Sequence, residues 1–143
     1  MGTLNQATHL SATDEGFSVD LDPAWEGWGP AGGYLAAIAL RATGHAVPQG
    51  HRPVTLQAQF LSKAERGKAD VRVEVCKPGS ASLSNVTLSQ AGRCFFQAQI
   101  WTTSRTTGPY SRRPVMPALP SPEELPALGQ HFPHLGRSLV TYW

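Results

Sequence analysis

Residues Gly29-Pro30-Ala31-Gly32-Gly33-Tyr34-Leu35-Ala36-Ala37-Ile38-Ala39-Leu40 form a glycine-rich bend that opens directly into a stretch with almost no polar side. Read as a helix, this stretch is apolar on every face, and such a helix must be wrapped by other elements. The downstream strand-like segments can do the wrapping, because each alternates apolar and polar residues and so offers one greasy face and one wet face. One helix buried inside one curled antiparallel sheet, an α+β fold, is the simplest assembly.

The pattern along the chain fills in that outline. Residues Met1 to Glu15 are polar and read as a loose lead-in. The segment Phe17 to Asp22 alternates, with Phe17, Val19 and Leu21 on one face, and Pro23 ends it. Trp25 and Trp28 follow in a loop broken by Gly27, Gly29 and Pro30, and two large rings this close usually cap a core or line a pocket. The spacing predicts a helix from Gly33 to Thr43, stopped by Gly44 with Pro48 shortly after. Its alanines, Ala36, Ala37, Ala39 and Ala42, would let a sheet approach closely.

Strand signals then recur. Val54, Leu56, Ala58 and Phe60 share a face, as do Val71, Val73 and Val75, and Ser84 to Leu88 alternates up to a turn at Ala91-Gly92. Cys94 to Trp101 carries aromatics on both faces and is expected to be covered on both sides. From Ser104 six prolines between Pro109 and Pro126 interrupt any periodicity, so residues 104–143 read as a proline-rich linker or tail after a domain of residues 1–103. Within it Ser121-Pro122-Glu123-Glu124 suits one helical turn, and Leu139 to Trp143 is strand-like.

Bulk properties exclude several classes. A formal net charge of +2, with scattered arginines, gives no basic stripe for nucleic acid. The longest apolar run falls short of the ~20 residues of a membrane span. Cys76 and Cys94 lack CxxC spacing and no signal peptide precedes them, so reduced thiols in a cytoplasmic protein are expected. His131 and His134 flank Pro133 with no third ligand at suitable spacing, so no metal is expected. There is no Gly-x-Ser-x-Gly elbow and no Walker-type loop, and no cofactor is expected.

Trp25, then Gly32-Gly33-Tyr34-Leu35-Ala36-Ala37, then Pro53-Val54-Thr55-Leu56 with Phe60-Leu61, then Gly67 before the Val71-Val73-Val75 strand, resemble the N-terminal half of acyl-CoA thioesterase II type proteins, the double-hot-dog thioesterases. The likeness covers about Phe17 to Trp101. It implies a hot-dog fold, an acyl-CoA or related acyl thioester as ligand, and pairing with a second hot-dog unit, either a copy of the chain or a C-terminal half.

The chain also departs from the family. Gly79-Ser80-Ala81 stands where a Gly-Arg-Ser turn is common, and Gln57 and Gln59 stand near where a histidine often precedes the Phe-Leu pair. The catalytic acid of double-hot-dog thioesterases, with Gln and Thr partners, resembles a set carried by the second half. In single-hot-dog relatives a Glu or Asp sits at the central helix, but Ala31 to Thr43 contains no carboxylate.

Thioester hydrolysis needs donors for the carbonyl oxygen and a base for water. Backbone N–H groups at a helix N-terminus meet the first need and glycines allow close approach, which makes Gly33 and Tyr34 oxyanion-hole candidates. Gly32 and Gly33 equally suit a purely structural role as a tight helix entry. Gln57 and Gln59 could orient a water or a substrate amide, and Trp25, Trp28, Gly32 and Asn85 are candidates for substrate contact. Asp20 and Asp22 read as solvated carboxylates.

Two classes of function follow: a thioester hydrolase, or a non-catalytic acyl-CoA-binding or assembly module, which the missing helix carboxylate favours. A hot-dog dehydratase is a third option, but its Asp and His pair before the helix is missing.

Overall fold

The computed structural model of the protein describes residues 3–105 and 114–125. The chain divides into two compact units, Met1–Thr107 and Gly108–Trp143. In the second, Pro122–Glu124 forms a single 3-10 turn whose Glu124 N–H donates to the Ser121 carbonyl at 3.0 Å. Leu139 to Trp143, His131 and His134 lie outside the described residues.

The first unit contains a short helix α1 (Leu4–Ala7), strands β1 (Ser11–Thr13) and β2 (Gly16–Leu21), the long helix α2 (Gly32–Ala46), and strands β3 (Arg52–Phe60), β4 (Gly67–Lys77), β5 (Ala81–Gln90) and β6 (Arg93–Thr103). Among the described residues six strands form one antiparallel sheet in the order β1-β2-β4-β5-β6-β3. β5 and β6 are joined at Ala91-Gly92, where both residues have positive φ (49° and 76°) as a two-residue hairpin turn of right-handed twist requires.

The core lies between α2 and the sheet. Ile38, Ala39 and Ala42 are completely buried against a layer that includes Val71, Leu88, Phe96 and Ile100. Ala39 and Ala42 bring the helix backbone close to the strands, while each buried large side chain contributes roughly 1.5–3 kcal/mol.

The curled sheet wraps α2 as expected, but it fully buries only the side of the helix that faces it. Tyr34, Leu35, Ile38, Ala39, Ala42 and Thr43 are buried, but Ala36, Ala37, Leu40 and Arg41 are only half-buried and Gly33 is exposed. Small side chains on the outer side leave little apolar surface to hide, and Arg41 marks the wet side by donating to the Asn5 carbonyl at 2.7 Å. The helix also continues past Gly44 to Ala46, and its last turn closes where the Val47 N–H donates to the Thr43 carbonyl at 3.0 Å. The stop is Pro48, which cannot continue a helix.

Three other expectations are revised. The lead-in is ordered: Thr3 and Gln6 form a reciprocal capping box at α1, and β1 pairs with β2. β6 is covered on one side, with Gln97 and Gln99 exposed; Phe95 is the extra residue of a β6 bulge opposite Leu88 and Ser89 of β5, which turns it inward. Among the described residues β3 is an edge strand with no strand beyond it, and Val54, Leu56 and Phe60 are 62%, 36% and 60% exposed.

Tyr34 ties the entry of α2 to the N-terminal segment. Its hydroxyl donates to the Ala7 carbonyl at 2.8 Å and accepts from the Asp22 N–H at 3.1 Å, while its side chain is buried. Tyr34→Phe strips both partners, and we expect a loss of about 1–3 kcal/mol at neutral pH in denaturant unfolding. Burial, with the nearby Asp22 and Asp20 charges, raises the Tyr34 phenol above its ordinary value of 10.0. The raised folded-state value favours the protonated ring, so the stability it brings is whole below about pH 10 and is lost as pH climbs through the folded-state value. Tyr34→Phe should therefore lose less stability than wild type above that pH; equal alkaline losses would contradict this assignment.

Candidate functional site at the entry of α2

Helix α2 begins without a side-chain cap. Ala31 holds the N-cap position and no acidic residue stands in the first turn. The Tyr34 and Leu35 N–H groups both donate to the Ala31 carbonyl, at 3.0 and 3.1 Å. The Gly32 and Gly33 N–H groups have no hydrogen-bond partner among the described residues. Bare amides at the positive end of the helix dipole make this the natural place for a partly negative oxygen. Of the two oxyanion-hole candidates, Gly33 thus has a free donor, whereas the Tyr34 amide is already engaged.

The preceding loop fixes this end in place. Asp22 accepts from the Ala24 N–H at 2.8 Å and caps a 3-10 turn at Pro23–Trp25. The Trp25 carbonyl accepts from the Ala31 N–H at 2.8 Å, and its ring stacks on Tyr34 with centroids 5.9 Å apart. Trp25 therefore supports the helix entry from behind, with its indole nitrogen enclosed and without a hydrogen-bond partner among the described residues. Trp28 is its opposite, 92% exposed at the tip of the loop.

The two glycines differ in what they face. A Cβ on Gly32 would stand 3.0 Å from Phe60 Cζ, whereas a Cβ on Gly33 would meet nothing within 4 Å. Phe60, edge-on to Phe96 at 5.3 Å, is thus an apolar wall beside the free amides. Sequence reasoning gave Phe60 a place in a strand and in the family-like Phe60-Leu61 pair, but not beside the helix entry; its nearness to Gly32 depends on how β3 crosses the helix start, which no local pattern encodes.

The sheet separates the remaining candidates from this spot. Gln57 and Gln59 pair in register with Gln99 and Gln97, and Asn85 with Gln99, on the face opposite Leu56, Ala58 and Phe60. There the Gln99 amide donates to Asn85 Oδ1 at 3.3 Å and the Asn85 amide to Cys76 Sγ at 3.1 Å. Gln57, Gln59 and Asn85 therefore form a polar patch on the convex face, away from Gly32 and Gly33. A further open groove of about 960 Å³ runs between the N-terminal segment and β2, lined by His9, Ser18, Asp20, Arg66 and Lys68 among others, and does not reach Gly32 or Gly33. Among the described residues no three His, Cys, Asp or Glu side chains are grouped to hold a metal.

Residues 21–103 match the family described as acyl-CoA thioesterase N-terminal domain. Among solved structures, a hot-dog-fold protein of unknown function from Alicyclobacillus acidocaldarius superposes with a TM-score of 0.77 at 24% identity, over 88% of this chain and 48% of that one. The tesB protein of Mycobacterium avium subs paratuberculosis gives 0.71 at 24% identity over 85% and 49%. An acyl-CoA thioesterase II, TesB2, from Mycobacterium marinum gives 0.72 at 21% identity over 92% and 49%. These likenesses establish the hot-dog fold, and the chain spans about half the length of these three structures. No curated protein sequence matches it.

The open space at Gly33 can be checked directly. Gly33→Ala should leave stability unchanged or raise it by up to ~1 kcal/mol, since alanine is the better helix residue and nothing obstructs its methyl. Gly32→Ala should displace the Phe60 ring, visible in aromatic NMR shifts. A large stability loss in Gly33→Ala would show that the space is filled.

Proposed function

The chain belongs to the acyl-CoA thioesterase N-terminal domain family, and on that premise we propose that it forms one half of an acyl-thioester hydrolase, with Gly32 and Gly33 holding the thioester oxygen. The observation that carries this reading is the pair of unpartnered N–H groups beside open space at Gly33. The acyl-CoA carbonyl oxygen would accept from them. As water attacks the carbonyl carbon, its oxygen gains negative charge and both bonds strengthen. A base takes the proton from water, the C–S bond breaks, and the departing thiolate is protonated to give free coenzyme A and a carboxylic acid.

The base comes from elsewhere. α2 carries no carboxylate, and Gln57, Gln59 and Asn85 lie across the sheet. The partner in this reading is a second hot-dog unit, a copy of the chain or a C-terminal half, laid against the edge of β3, which no strand among the described residues covers. Support comes from the nine-residue length of that edge and from the exposure of Val54, Leu56, Phe60 and Leu61, an arrangement that invites strand pairing. Phe60 then serves both the interface and the acyl group. The free thiols Cys76 and Cys94 support a reducing, cytoplasmic setting.

A second reading, a non-catalytic acyl-CoA-binding or assembly module, is favoured by the carboxylate-free helix. The two readings separate in one assay series across short and long acyl-CoAs. Gly33→Pro removes one N–H at a first-turn position where proline is tolerated. Turnover should fall about 10²–10³-fold in this variant if the amides hold the oxyanion. Saturable acyl-CoA binding with no turnover in any assembly would leave the binding module standing. Val54→Glu combined with Leu56→Glu should reduce the native mass from a pair to the single 15.4 kDa chain; an unchanged pair would place the interface elsewhere.

A further inference from the structure

Trp28 is held out into solvent by a built device. Around it the Gly27 N–H donates to the Gly29 carbonyl at 3.0 Å, and Glu26 and Pro30 form an antiparallel bridge. At its base the Trp25 carbonyl anchors Ala31, and on its flank the Arg66 guanidinium pairs with Glu26 at 2.6 Å. A closed, doubly tethered turn that leaves an indole 92% exposed forgoes the stabilisation that burying so large an apolar side chain brings. An exposed ring on such a rigid mount is a plate ready to stack.

A cation lies beside this turn. The Lys63 stem packs along Gly29, close enough that a Cβ there would stand 3.4 Å from both Lys63 Cγ and Cε. Lys63 forms no hydrogen bond or ion pair among the described residues, unlike Arg66, which Glu26 neutralises. An aromatic plate next to an unneutralised ammonium suits a ligand that is both flat and anionic. The chain from Trp28 to Gly33 spans at most ~18 Å when extended, so plate and free amides belong to one end of the molecule.

We infer that Trp28 and Lys63 seat the nucleotide end of the coenzyme A thioester, the adenine stacking on the Trp28 indole and a phosphate facing the Lys63 ammonium. The inference rests on the acyl-thioester reading for its full ligand, and it divides the two tryptophans: Trp25 supports the helix entry, and Trp28 grips the part of the substrate that does not react. Recognition is then bipartite, with the thioester at Gly32 and Gly33 and the nucleotide on the loop that precedes them.

Calorimetric titration with two half-ligands tests it: adenosine 3′,5′-bisphosphate, which lacks the thioester, and S-acyl pantetheine, which lacks the nucleotide. For wild type, the bisphosphate should bind saturably. Trp28→Ala should weaken the bisphosphate and acyl-CoA about tenfold or more, within the range for a base stacked on an aromatic ring, and leave acyl pantetheine unchanged. Trp28→Phe should keep most of the affinity, and Lys63→Gln should lower both the affinity for the bisphosphate and its salt dependence. Folding is not at stake at so exposed a position.

Absence of bisphosphate binding to wild type, or an equal loss for acyl pantetheine in Trp28→Ala, would overturn the assignment. So would a change of native mass in Trp28→Ala, which would give Trp28 to a protein interface. Bisphosphate binding that depends on Trp28 without any acyl pantetheine binding would uphold the seat and sink the thioester reading instead.

Discussion

Close packing of α2 on the concave face of the sheet governs the rest of the molecule. Ile38, Ala39 and Ala42 are fully buried, and only side chains this small on the contact line let the strands curl up to the helix backbone. The arrangement fixes what each end of the helix can do. Its C-terminal turn is closed by Thr43 and Val47, while its N-terminal turn is left without a side-chain cap. Pinned from behind by Tyr34 and by the Trp25 carbonyl, that open end cannot relax to satisfy its own amides. Donors held still before a ligand arrives need little reorganisation when charge develops, and this is where electrostatic catalysis gains most.

The same sheet that creates the site also divides the chemistry. Its concave face carries the helix, the free amides and the Phe60 wall, and its convex face carries the amide-rich patch of Gln57, Gln59, Asn85, Gln97 and Gln99. A side chain on one face of a strand cannot serve a reaction on the other, since alternate residues point apart. In the proposed hydrolysis, a water activated beside Gly32 and Gly33 would need a base other than the chain's own convex side chains. The edge of β3, which no strand among the described residues pairs, carries Phe60, so a unit docking there would meet the same end of the helix.

Much of the fold was legible because its signals are local. Alternation marked β2, β4 and β5, the glycine pair marked the helix entry, and Ala91-Gly92 marked the hairpin. Other features depend on distant partners. Gly44 resembled a helix stop, but tertiary packing of Ala42 and Thr43 carried the helix through it to the stronger signal at Pro48. Alternation in β3 promised a buried face, yet burial depends on what lies beyond an edge, and alternation cannot report that. The Thr3 and Gln6 capping box was readable, although a four-residue helix has too few apolar residues to stand out.

At the site, glycine chemistry was legible and convergence was not. Sequence patterns gave Gly33 and Tyr34 as donors, with Gly32 only as a substrate contact, but the choice between the Gly33 and Tyr34 amides depended on the Ala31 carbonyl, whose position only the folded helix start defines. Isotope-edited infrared spectroscopy of a ¹³C=O-labelled acyl-CoA bound to the protein tests the central claim most directly, because it reads the carbonyl itself. Two N–H donors from Gly32 and Gly33 should move its stretching band below the position in water, and Gly33→Pro should reverse part of that shift. A band at the solution position, unchanged in Gly33→Pro, would contradict the account.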